Sequence, residues 1–130
     1  MPITHSIDLN LNAAFAVASG IVTDEEVIPA MSALYADPRF HPDMRHLADY
    51  SQVTKNTACG ETLFKLARIS KFSPSARRAI LVKSDLEFGL FRVFQSYVSL
   101  ETMPQLRVFR DRSEAVSWLN EGVEAEKHIN

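Results

Sequence analysis

The sequence predicts an α/β fold, and three observations carry that prediction. After an opening pair of strand-like runs, apolar strands and amphipathic helices alternate down to Trp118-Leu119. The clearest strand, Ala79-Ile80-Leu81-Val82, is too short for a helix and apolar on both faces, as a central strand covered by helices must be. Helix-start signals also stand where the pattern turns helical, at Thr23-Asp24-Glu25-Glu26, Ser84-Asp85 and Asp111-Arg112-Ser113-Glu114.

The elements follow in order. Ile3 to Asn10 alternates weakly and Phe15 to Val22 is strand-like, so a turn over Asn10 to Ala13 makes an antiparallel hairpin. Thr23 to Glu26 reads as a capping box whose acidic residues suit the positive end of a helix. Val27, Ile28, Met31, Leu34 and Tyr35 then recur at helical spacing, with a kink expected at Pro29 and a stop before Asp37-Pro38. Met44 to Tyr50 is the third strand. Asn56-Thr57 caps a second helix from about Ala58 to Phe72, with Leu63, Leu66, Ala67 and Ile69 inward. Arg77 to Lys83 is the fourth strand, and Ser84-Asp85 opens a helix running to about Val98. Leu106 to Phe109 is the last strand. The helix opened by Asp111 turns Ala115, Val116 and Leu119 inward and packs Trp118 on the sheet.

At 130 residues the chain reads as one domain over residues 1–120 with a polar, frayed tail over 121–130. Hydrophobic residues at 46% and charged residues at 23% are ordinary globular values, and a net charge of −2 provides no field for nucleic acid. No basic, then apolar leader is visible at the start, and no run approaches the roughly 18 apolar residues of a membrane span. With a single cysteine, Cys59, the expectation is a cytoplasmic protein in a reducing compartment.

In this order the segments resemble the SpoIIAA-like branch of the STAS superfamily, whose small members are also labelled STAS/SEC14-like. The resemblance spans Gly20 to Leu119. It rests on Gly20-Ile21-Val22-Thr23-Asp24-Glu25-Glu26, on Asp37-Pro38-Arg39-Phe40 leading into Leu47-Ala48-Asp49, and on Ser84-Asp85-Leu86-Glu87-Phe88-Gly89. Val108-Phe109-Arg110-Asp111-Arg112-Ser113-Glu114-Ala115 and Trp118-Leu119 complete it. It implies a mixed, mostly parallel five-stranded sheet with about four packed helices, in a bacterial protein that binds partners or ligands rather than catalysing. Anti-sigma-factor antagonists of this superfamily carry a phosphorylatable serine in an Asp-Ser-Ser-Gly setting. The matching stretch here is Thr57-Ala58-Cys59-Gly60, without a serine, so the phosphoswitch is not expected.

The candidate sites start with Cys59, which in a first helical turn is either a dipole-activated thiol, the basis of a thiol sensor, or a small packed residue. His41, Asp43 and His46 form a local cluster that lacks metal-site spacing and reads as surface loop, so no metal or cofactor is expected. Lys65, Arg68 and Lys71, followed by Arg77 and Arg78, read either as the solvated face of a helix or as a receiver for phosphate or an acidic partner.

Open α/β sheets bind ligands at the carboxyl ends of their strands. Those ends offer Asp49, Tyr50, Ser51, Ser84, Asp85, Arg110 and Asp111; Asp49, Ser51, Ser84, Asp85 and Arg110 are the ligand-binding candidates. No residue is assigned a catalytic role. In the Asp85–Val98 helix, Leu86, Leu90, Val93, Phe94 and Tyr97 read as the inward stripe. Phe88 and Phe91 are left at the side as a homodimer interface.

Two functional classes stay open beside the thiol sensor. One is a non-enzymatic binding or regulatory module for an unknown partner. The other is a carrier of a small apolar or lipid-like ligand, held in a cavity lined by Phe88, Phe91, Phe94 and the Tyr35 helix.

Overall fold

In the computed structural model, residues 2–57, 60–101 and 105–130 are described, with residues 98–101 described by backbone alone. Five strands form one sheet: β1 (Ile3–Asp8), β2 (Ala13–Val22), β3 (Arg45–Asn56), β4 (Arg77–Leu81) and β5 (Gln105–Phe109). They lie side by side in chain order; β1 is antiparallel to β2 and every later pair is parallel. The helices are α1 (Asp24–Ala36), α2 (Gly60–Ile69), α3 (Asp85–Glu101) and α4 (Arg112–Asn120). This is the expected mixed, mostly parallel sheet with four helices.

Crossovers of one hand between neighbouring parallel strands put their helices on one face. Val27 of α1, Leu63 and Leu66 of α2, and Phe91 and Phe94 of α3 accordingly share a core with Ala16, Ala48 and Ile80 of the sheet. Only α4 follows the last strand, and it covers the other face. There Ala115, Trp118 and Leu119 pack on Leu47, Ala79, Leu81 and Phe109. Trp118 is buried as expected, its indole centroid 5.6 Å from the Phe109 ring.

The local signals form as read. Glu26 accepts the Thr23 amide at 3.1 Å, the Ser84 hydroxyl accepts the Glu87 amide at 3.1 Å, and Asp111 accepts the Ser113 amide at 2.8 Å. In the hairpin turn Asn12 takes a positive φ of 51° while the Asp8 carboxylate accepts the Leu11 amide. Helix α1 continues through Pro29 to Ala36.

Four expectations are corrected. Strand β3 runs on to Asn56, its second half pairing with β2 alone. That pairing shifts register at two places, one of them between Ile21 and Gly20, whose φ of 67° suits a residue without Cβ. Helix α2 ends at Ile69, because Phe72 leaves the helical path to be buried among Tyr35, Phe40 and His46. In α3 the buried stripe is Glu87, Phe91 and Phe94, while Leu86 is 82% and Val93 43% exposed. The apolar count favoured the other face because the buried position at 87 carries a carboxylate. Lastly, residues 121–130 do not fray. Ile129 is buried, Asn120 accepts its amide and donates to its carbonyl, and Arg45 bonds the Lys127 carbonyl at 2.6 Å.

Candidate functional site

The register aligns residues across the sheet. Ile7, Ala14, His46, Arg78 and Leu106 are successive partners on the five strands, and the next row is His5, Ala16, Ala48, Ile80 and Val108. Both rows face α1, α2 and α3. Alternation along each strand therefore turns His46 and Arg78, neighbours on β3 and β4, under the helical layer. They are 3% and 2% exposed.

These two side chains lack the partners that buried polar groups normally have. Neither ring nitrogen of His46 has a hydrogen-bond partner, nor does Nε of Arg78. The Arg78 guanidinium reaches the Ser70 hydroxyl at 3.3 Å and lies 4.4 Å from the centroid of Phe72, on which the His46 ring stacks at 5.0 Å. Among the described residues no carboxylate pairs with it. Leaving a buried charge without its partner costs about 3–5 kcal/mol. Burial, and then the Arg78 charge, hold the His46 imidazole well below its ordinary pKa, so it is neutral at pH 7.

The two orphans line a chamber of about 30 Å³ whose other walls include Val27, Met31, Leu66, Ile80, Phe91 and Phe94. Tyr50 also lines it, its hydroxyl pushed up to about 12 by burial and then by the Glu87 carboxylate. Next to the chamber lies a groove of about 300 Å³ between α1 and β1, and the two share Val27, Met31, Ala48 and Tyr50 as walls. The groove exists because small residues face small residues: Ala30 and Ala33 of α1 stand over Ala16 and Ala48. At its rim His5 Nε2 lies 3.1 Å from Asp37. Asp37 also accepts from Arg39, which, with the His5 contact, depresses its carboxyl pKa strongly.

The strand-end candidates are arranged differently. Asp49 accepts both the amide and the hydroxyl of Ser51, at 2.9 and 2.6 Å, where β3 passes from Asp49 to Gln52 against Val17 and Ser19 of β2. That pair shapes a bulge. Ser84 is a helix cap. Asp85 and Arg110 are brought together in an exposed ion pair of 2.5 Å, with Arg110 stacked 4.5 Å over Phe88. None of the five lines the chamber.

Phe91, expected at an interface, is 5% exposed and packs edge-on against Tyr50. Of the residues expected to line a carrier cavity, Phe91, Phe94 and α1 line the chamber and Phe88 does not. His41 and Asp43 are exposed as loop residues are, but His46 lies on β3 in the core, because the strand begins one residue before it. Lys65, Arg68 and Lys71 are exposed on and just beyond α2, whereas Arg78 points into the opposite side of that layer. Cys59 and Ala58 lie outside the described residues. Thr57 donates its hydroxyl to the Val22 carbonyl at 3.3 Å.

Sequence reasoning passed over His46 and Arg78 as a pair. The available signal was period two: Ala14-x-Ala16-x-Ala18, His46-x-Ala48-x-Tyr50 and Arg78-x-Ile80-x-Val82 each place one set under the helices.

No protein-family model matches the chain, and no curated protein sequence does either. Among solved structures, the chain is similar to a crystal structure of an uncharacterized protein of the DUF3478 family, with a SpoIIAA-like fold, from Shewanella loihica PV-4. The TM-score is 0.57 at 21% identity, covering 90% of this chain and 93% of that one. The fold is SpoIIAA-like.

Proposed function

We propose that this protein is a non-enzymatic binding module whose ligand is a small molecule held under α1, in the groove beside β1 with one polar end in the chamber floored by His46 and Arg78. The observation that carries the reading is the set of three orphaned polar atoms in an otherwise apolar cavity, which a ligand would satisfy. A carrier or ligand-sensing role is favoured over a protein-docking role because these groups are enclosed. The chamber also argues for binding over chemistry. Among the described residues its walls carry no serine, threonine, cysteine, lysine or carboxylate, and the Tyr50 phenol, pushed up to about 12, stays protonated at neutral pH. None of the described helices is long and apolar enough to cross a membrane. Native mass spectrometry of protein purified from cells tests the reading. A retained small mass that denaturation releases supports it, and a bare chain in every preparation counts against it.

Self-association is the second reading, and it moves off Phe91. Leu86 and Val93, seven residues apart on one side of α3, are the exposed large apolar side chains among the described residues of that helix. Leu86→Glu would then abolish a dimer seen by light scattering, and a wild-type monomer at high micromolar concentration rules the dimer out.

A further inference from the structure

We infer that the ligand is a monocarboxylate with an unbranched apolar body, its carboxylate seated on Arg78 and His46 and its body in the groove under α1. The inference rests on the small-molecule reading above and adds the chemistry of the ligand. The first argument is charge. Arg78 keeps its proton even with its pKa lowered by burial, and no carboxylate of the described chain pairs with it. The buried acid on the same face, Glu87, sits by Tyr50 and accepts from Asn56 at 3.4 Å. An incoming anion would supply the missing partner, and a neutral His46 could add one N–H donor to it.

The second argument is size. A chamber of about 30 Å³ holds roughly two water-sized atoms. Two carboxylate oxygens match that room; the four oxygens of a phosphate exceed it.

The third argument is the wall chemistry. Beyond the two orphans the chamber is lined by aliphatic and aromatic side chains, and the groove that shares Val27, Met31, Ala48 and Tyr50 with it lies over Ala16 and Ala48 of β2 and β3. A body reaching from the chamber into the groove would pass between Val27 and Met31 above and Ala48 below. Such a slot suits an extended chain better than a ring or a branched group. Two waters in the chamber and an empty groove are the alternative, and it predicts no preference for acids.

Titration calorimetry of the full chain with decanoate, decanol and inorganic phosphate, at pH 7.5, separates these readings. Decanoate should bind roughly ten- to a hundredfold tighter than decanol, the range expected when a charged donor meets a charged acceptor. Inorganic phosphate alone should not bind. Arg78→Met should remove most of the decanoate preference and leave decanol binding unchanged. If that variant does not fold, the acid-to-alcohol ratio of the wild type decides by itself. Equal affinity for decanoate and decanol overturns the carboxylate anchor while leaving an apolar-ligand cavity in place. Binding of neither probe overturns the inference, and the native mass measurement then tells whether the broader reading falls with it. Decanoate retained at full strength in a folded Arg78→Met also overturns it.

Discussion

Two arginines are buried in this sheet, and their surroundings differ completely. Arg45 opens β3 on the side covered by α4, where it is 8% exposed and makes four hydrogen bonds. These run to the carbonyls of Leu11, Leu119 and Lys127 and to the Asn120 side chain, over 2.6 to 3.2 Å. Arg78 stands on the next strand under the other helical layer, with one neutral oxygen, one aromatic face and an unpartnered Nε. The first arginine fastens the hairpin turn, α4 and the C-terminal segment to one another. The second fastens very little for the desolvation it costs. A buried charge held by four hydrogen bonds is architecture, whereas one left short is a candidate for binding.

The largest expected effects lie on the Arg45 side. Trp118→Ala should lose about 3–5 kcal/mol in chemical denaturation, because the indole is buried against Phe109 and under the guanidinium groups of Arg77 and Arg107. An unchanged midpoint would show that α4 is not held by that contact. Arg45→Met should cost about 3 kcal/mol, since it strands acceptors at Leu11, Leu119 and Lys127 together. It should also loosen residues 121–130, read as faster amide exchange at Ile129. Protection unchanged at Ile129 would mean the segment is held by its apolar contacts alone.

The Arg78 side should show itself in pH. The His46 pKa is lower in the folded state than in the unfolded chain, so the unfolded state binds the extra proton first. Above about pH 6.5 this residue adds no pH dependence. As pH falls below that value, stability should drop by up to about 1.4 kcal/mol per unit from this group, until the folded-state pKa is reached. Carboxylates titrate nearby in pH, so the comparison is with His46→Gln, whose stability curve should be flatter between pH 6.5 and 5. Identical slopes would place His46 in water. The smallest effect belongs to the strand-end pair. Asp85→Asn removes an exposed ion pair with Arg110 and should move stability by less than about 1 kcal/mol.

Much of the fold could be read from local chemistry, and the site could not. Thr23 with Glu26, Ser84 ahead of Glu87, and Asp111 ahead of Ser113 place three helix starts, because each cap is an interaction within three residues. Ala79 to Val82 declares its strand by being apolar on both faces. By contrast, Met44 to Tyr50 reads as a strand, yet His46 groups with His41 and Asp43 as surface until three strands pair around it. Likewise Arg78 looks like the end of a basic stripe until β4 turns it away from Lys65 and Arg68. Glu87 misled in the same manner, since one carboxylate in a buried stripe shifts the apparent face of α3. The tail was unreadable for a related reason: Ile129 is one apolar residue in a polar stretch, and its burial depends on Arg45 and Asn120 far away in sequence.

The contrast between the two arginines is tested most directly by the unfolding free energies of Arg45→Met and Arg78→Met, measured side by side on ligand-free protein. Even a paired buried charge can be exchanged for well-packed apolar side chains of similar volume at no loss, or with a gain of about 1–4 kcal/mol, and an uncompensated one has less to lose. The account predicts that Arg78→Met is as stable as wild type or more so, while Arg45→Met falls by about 3 kcal/mol. Equal losses in the two variants would contradict it, and would make Arg78 a structural arginine like its neighbour.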